Sequence, residues 1–184
     1  MLVLASASPR RLDLLRQIGV EPDAIDPAEA DETPWPREAP RAYALRMAEA
    51  KLAAVMPRHP EAFVLAADSV VAVGRRILPK AETEAEARHC LGLLSGRRHK
   101  VLGGLAIGRA GKVRTRLVET AVRFKRLERA EIEAYVQSGE WRGKAGGYAI
   151  QGRAAAFVAF LSGSYSNVVG LPLFETAALL KALR

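Results

Sequence analysis

The sequence predicts a mixed α/β fold, and three observations carry that expectation. Short apolar, β-branched runs alternate with stretches of helical periodicity along the 184 residues. Two long β-type runs, KVLGGLAIG and KVRTRLVETAVRF, flank Arg109-Ala110-Gly111, a hairpin signal, so the sheet is not purely parallel. Hydrophobic residues at 49% and charged residues at 26% are the balance of a globular chain with a real core.

The elements follow in order. Leu2-Val3-Leu4-Ala5 reads as a short buried strand. Ser8 is placed at an N-cap and Pro9 at the first position of a helix that carries Leu12, Leu15 and Ile18 and stops at Gly19. Pro22 to Pro40 is rich in proline and acid. With too few residues before it to form a domain, it reads as an irregular segment, and residues 1–184 as one domain. A second helix is expected over Glu38–Met56, with Leu45, Ala48, Leu52 and Val55 on one face. Phe63–Val73 (FVLAADSVVAV) is a strand with one acid in its middle. Thr83–Leu94 is a third helix with Ala87, Leu91 and Leu94 inward and Cys90 in the core. After the hairpin, Arg129–Ser138 is a helix ended by Gly139, and Gly146–Phe160 is Gly-rich, then apolar. Pro172 opens a last helix carrying Leu179, Leu180 and Leu183.

Composition excludes several classes. One cysteine permits no internal disulfide framework, and His59, His89 and His99 are too scattered for a Cys/His zinc site. No apolar run approaches the ~20 residues of a membrane span, and MLVLASASPRR lacks the basic start of a signal peptide. A cytoplasmic protein is expected. The net charge of +8 suits nucleic acid, an anionic surface or a polyanionic small molecule.

Five places can carry chemistry. Ala5 to Arg11 joins a strand to a helix, and helix N-termini attract anions. Arg10 and Arg11 oppose the macrodipole there, so they either accompany a bound phosphate or are solvated surface charges. Asp68 lies in an otherwise apolar or small run. A buried acid is costly unless paired, hydrogen-bonded or metal-bound, so it marks a site or caps a strand end. The acids Asp26, Glu29, Asp31 and Glu32 follow; one of them with Asp68 would suffice for a divalent ion on phosphates, and chemistry alone does not choose Glu32. Lys51 beside an apolar helical stripe and Lys80 in a loop can neutralise phosphate or be surface lysines. Gly146 to Gly152 permits close backbone approach. Its Gln151 can offer a donor and an acceptor to a base edge, although a bulged strand would explain the segment equally. Residues 97–126 hold ten Lys or Arg against Glu119 alone; this is the best nucleic-acid feature, or one solvated face of the hairpin.

Taken together, LASASPRRLDLLRQIGV, the DE of ADET, the Lys of RMAEAKLAAV, AADSVV, Lys80, GGYAIQGRAAAFV and GSYSNVVGLPL resemble the Maf family of nucleoside triphosphate pyrophosphatases. The resemblance spans nearly the whole chain in the family's order. It implies an elongated mixed β-sheet flanked by helices, with two lobes and a central cleft, similar to inosine-triphosphate pyrophosphatases. It implies cleavage between the α and β phosphates to a monophosphate and pyrophosphate, with Mg or Mn. By motif, Asp68 matches the proposed general base, and Ser6, Arg11, Glu32, Lys51 and Lys80 match the catalytic and phosphate-handling set. Asp68 and Glu32 are the expected metal ligands, and Arg10, Ser69 and Gln151 match positions tied to base choice. SPRR with YAIQG is similar to the dTTP/UTP branch. Ser69 stands where the family usually has Thr, and Pro-Lys-Ala surrounds Lys80 where it usually has Gly-Lys-Pro.

The expected partner is therefore a nucleoside triphosphate, with no membrane; a homodimer is compatible. The alternatives are a pyrophosphatase for modified or purine triphosphates and, below it, a non-enzymatic nucleic-acid-binding or septation regulator using the basic stretch. The latter gives no reason for Asp68 or the acidic cluster.

Overall fold

The computed structural model describes residues 1–182. Its elements are β1 (Leu2–Leu4), α1 (Pro9–Gln17), β2 (Ala24–Ile25), α2 (Pro40–Val55), β3 (Phe63–Val73), β4 (Arg76–Leu78), β5 (Lys80–Ala81), α3 (Glu84–Leu94), β6 (Arg98–Arg109), β7 (Lys112–Phe124), α4 (Arg129–Ser138), β8 (Lys144–Ala145), β9 (Val158–Ser162), α5 (Tyr165–Val169) and α6 (Leu173–Lys181). The main sheet runs β2-β1-β3-β6-β7-β9, with β4 added to β3, and β5 and β8 form a separate pair. β1 is parallel to β2 and to β3, whereas β3 with β4 and β7 with β9 are antiparallel. This is the mixed α/β architecture expected from the alternating periods.

The chain forms two compact units. The first comprises residues 1–69, 103–118 and 170–184, and the second residues 70–102 and 119–169. In the first, β3 is buried along Val64–Asp68 because β1 pairs with its start and α2 covers it. Val3, Ala5, Ala48, Leu52, Val55, Val64, Ala66 and Ala106 form one apolar cluster. Two glycines of β6 set how closely α2 lies. A Cβ on Gly104 would stand 2.0 Å from the Ala44 carbonyl oxygen and 3.2 Å from the Ala48 Cβ. A Cβ on Gly108 would stand 3.0 Å from the Met56 sulfur. Bare backbone therefore lets α2 sit on the strand, and α2 carries Lys51.

The second unit is built around α3, α4 and an aromatic cluster. Thr83 and Glu86 form a reciprocal capping box at the start of α3. Arg88 of α3 reaches Glu133 of α4 at 2.9 Å. His99, Phe124, Tyr148, Phe157 and Tyr135 meet edge to face, with centroids 4.8–5.9 Å apart.

Several expectations change in detail. α1 begins at Pro9, but the Ser8 side chain makes no cap; the Ser8 N–H instead donates to Ser6 Oγ at 3.2 Å. α2 starts at Pro40, two residues later than expected, because the proline keeps the preceding Ala39 extended (ψ 139°), and Leu45 is only half-buried. The hairpin turn is Ala110-Gly111, both with positive φ (48° and 78°). Gly146–Gly152 is not a bulged strand. It is a turn that leads to a 3-10 segment at Arg153–Phe157 before β9. Pro172 is the N-cap of α6 rather than its first residue. α5 had no periodic signal, being five residues long, and Leu183 lies outside the described residues.

Gly104→Ala is expected to destabilise the fold by about 3 kcal/mol, since the new methyl meets backbone that cannot turn aside. Thermal unfolding followed by circular dichroism checks this; a melting temperature unchanged from the parent would mean that α2 is not held by that approach.

Candidate active site

The site in the first unit begins with Asp68, in mid-β3 and 4% exposed. A carboxylate so placed needs a cation and hydrogen bonds to offset its lost hydration. α2 supplies the cation. Lys51 Nζ donates to Asp68 Oδ1 at 2.5 Å and lies 2.7 Å from Glu32 Oε1. One buried ammonium thus joins two carboxylates from separate segments. The Glu32 side chain, 37% exposed, is the solvent-side member. Asp68 Oδ2 has no hydrogen-bond partner among the described residues.

Arg11 sits beside this pair. It is buried, unlike the solvated surface charge that spacing alone also allowed. Its Nε donates to the Gly170 carbonyl at 2.9 Å, Nη1 to Ser6 Oγ at 2.9 Å and Nη2 to Ser69 Oγ at 3.3 Å. Burial pulls the Arg11 guanidinium below its usual pKa, while the Asp68 and Glu32 carboxylates pull it back up. A guanidinium keeps its charge under such opposing influences. Arg11 therefore ties the turn before α1, the middle of β3 and the Gly170 turn together. Ser69 also donates to the Gly170 carbonyl, at 3.4 Å. Tyr43 OH donates to the Glu32 carbonyl at 2.6 Å. Its phenol is pushed up to about 12, mainly by burial and further by Asp68 and Glu32, so it stays a donor at neutral pH.

Of the expected residues, Ser6, Arg11, Glu32, Lys51, Asp68 and Ser69 are thus brought together. Arg10, next on α1, is half-buried. Lys80 and Gln151 belong to the second unit and are both exposed. Lys80 is not in a loop: β5 pairs with β8, Lys80 opposite Ala145. β8 leads directly into the turn that carries Gln151, and Gly146 N–H donates to the Pro79 carbonyl at 3.0 Å. A Cβ on Gly146 would meet Val71 at 2.8 Å, so a glycine is required there. The turn is further held by Tyr148 OH against His99 Nε2 at 2.8 Å and by Ala149 N–H donating to Tyr135 OH at 3.0 Å.

Sequence reasoning missed Tyr43 and Gly170. An aromatic on an apolar helix face gives no signal of a polar role, and a carbonyl acceptor has no side-chain signature. The basic stretch is exposed at Arg98, Lys100, Arg114, Arg116 and Arg123, and is partly answered: Lys100 pairs with Glu119 at 2.6 Å and Lys125 with Glu131 at 2.5 Å.

Residues 1–183 match the family described as "Maf-like protein". The chain belongs to the Maf family. It is 66% identical over 181 residues to the "dTTP/UTP pyrophosphatase" of Paramagnetospirillum magneticum, covering 98% of this chain and 95% of that one. It is 64% identical over 183 residues to the like-named protein of Caulobacter vibrioides, covering 99% and 95%. A solved nucleoside-triphosphatase / dITP/XTP pyrophosphatase from Mycobacterium abscessus is 18% identical with a TM-score of 0.39, over 68% of this chain and 75% of that one, too distant a likeness to bear on the site.

The donor chemistry of this Maf chain suits a divalent cation that arrives with phosphate. Asp68 and Glu32 are hard oxygen ligands directed at one positive charge, and Mg takes one or two carboxylates beside phosphate and water. Among the described residues no group of three or more His, Cys, Asp or Glu would hold a metal unaided. No helix among them is long and apolar enough to cross a membrane.

Burial lowers the His99 pKa from 6.5 to about 4. Between those values the unfolded chain binds a proton that the folded chain refuses. Stability present above pH 6.5 is thus lost as pH falls towards 4, by about 3 kcal/mol in all. Denaturant unfolding from pH 7 to 4 is expected to show this slope, and His99→Gln to lack it.

Proposed function

We propose that this chain hydrolyses dTTP and UTP to the nucleoside monophosphate and pyrophosphate, with Mg or Mn as the required cation. The carrying observation is the buried Lys51 bridging Asp68 and Glu32 beside Arg11. The relatives' shared name supports the substrate class.

The charge balance supports a phosphate substrate. Asp68 and Glu32 are matched by Lys51 and Arg11, so an entering triphosphate adds unmatched negative charge and must bring cations with it. When bound, a divalent cation would be held by Asp68 and Glu32 and would neutralise phosphate oxygens. Where Asp68 does not hold the cation, it instead receives the proton of the attacking water at Oδ2, the oxygen that Lys51 does not occupy. Water adds at the α-phosphorus, the α–β bridging bond breaks, and pyrophosphate leaves with that oxygen. Lys51, Arg11 and Lys80 stabilise the charge that grows on the phosphates, and the Ser6–Arg11 turn offers backbone N–H groups. Gln151, Arg10 and Ser69 read the pyrimidine, since a site built to hydrogen-bond one base leaves its own groups unpaired with another. The reaction belongs to the cytoplasmic nucleotide pool, and residues 1–184 serve as one domain.

Asp68→Asn is expected to slow pyrophosphate release from dTTP by at least about 100-fold, with a lowered melting temperature but the fold retained by circular dichroism at assay temperature. An unchanged rate removes Asp68 from the chemistry. A nucleotide panel with Mg and Mn, scoring monophosphate and pyrophosphate apart from free phosphate, is expected to favour dTTP and UTP over GTP, and Gln151→Ala to narrow that preference. Equal rates on dTTP and GTP in the parent would overturn the assignment of Gln151, Arg10 and Ser69 to base reading.

A further inference from the structure

Glu32 lies between β2 and α2 on a segment with no regular structure. Such a segment has many conformations unless it is tied down, and a carboxylate on it would reach Lys51 only part of the time. Here it is tied by α2. Tyr43 OH donates to the Glu32 carbonyl at 2.6 Å, and Arg46 Nη2 donates to the next carbonyl, that of Thr33, at 3.1 Å. The same guanidinium grips both oxygens of Glu38, Nε to Oε1 at 2.6 Å and Nη2 to Oε2 at 2.7 Å. Glu38 Oε2 also accepts the Trp35 N–H at 2.9 Å. Arg46 stands 4.1 Å from the Trp35 ring centroid and 5.4 Å from that of Tyr43. The Glu38 side chain is 5% exposed, so this is not a solvated surface pair.

We infer that Arg46, assisted by Tyr43, is a positioning residue that clasps segment 32–38 to α2 and so holds the Glu32 carboxylate within reach of Lys51. The inference rests on the proposed reaction for its kinetic consequence, and on contacts alone for the clasp. Arg46 touches none of the groups assigned to chemistry except through this segment. A lysine keeps the charge there but has neither the two-pronged grip on Glu38 nor the flat face against Trp35.

The test couples two variants and one physical readout. In Arg46→Met, amide hydrogen exchange over residues 32–38 is expected to accelerate. The kcat/KM for dTTP at saturating Mn is expected to fall about tenfold, carried by KM more than kcat. In a Glu32→Gln background the same change is expected to cost less than about twofold, because the group being positioned is already gone. Arg46→Lys should recover only part of the loss, and the milder Tyr43→Phe should move exchange and KM in the same sense. Equal losses in both backgrounds, or unchanged exchange over 32–38, overturn the inference. A parent that releases no pyrophosphate from any nucleotide would instead overturn the reaction, and faster exchange in Arg46→Met would still establish the clasp.

Discussion

A carboxylate in the middle of a buried strand must be answered by a cation, and the contact between Asp68 and Lys51 meets that demand. Neither residue would be tolerated alone at its position. Their pairing fixes which turn of α2 faces the centre of β3, and hence how α2 must lie. Glu32 then shares the ammonium from the solvent side. The arrangement confines two negative groups around one positive one, with Arg11 alongside, so charge is balanced locally without substrate.

Close approach of backbone makes that contact possible. Gly104 and Gly108 remove the side chains that would hold α2 away from β6. Arg11 does comparable work on the other side. Its three donors go to a carbonyl and two hydroxyls from three separate stretches of chain, 6, 69 and 170. A cation used in this way is structural and electrostatic at once: it fixes the turn before α1 and sets a positive group beside the Asp68 and Glu32 carboxylates.

The second unit shows the same principle with neutral groups. Tyr148, His99 and Tyr135 hold the Gln151 turn through buried hydrogen bonds, while glycines at 146 and 147 let the backbone seat against Val71 and α3. Such support beneath an exposed amide is what the proposed role of Gln151 in reading a base requires, since a loosely held donor would adapt to any partner.

Periodicity alone placed β3, α3, α4 and the hairpin, because each carries an uninterrupted pattern with a clear stop, such as Gly139 or Ala110-Gly111. The isolation of Asp68 among apolar neighbours was also visible in one dimension, as a charge with an unmet cost. Its partner was not. Lys51 is 17 positions away, and nothing in local spacing separates it from a surface lysine; only the lie of α2 on the sheet decides. Nor could spacing choose Glu32 among four nearby acids, or turn Arg11 inward rather than outward, or give Tyr43 and Gly170 a role. The sequence by itself determined the long elements and which group must be compensated, since both depend on neighbours along the chain. The tertiary structure alone decided what compensates it, because hydrogen bonds and ion pairs act over a few ångströms in space, whatever the separation in sequence.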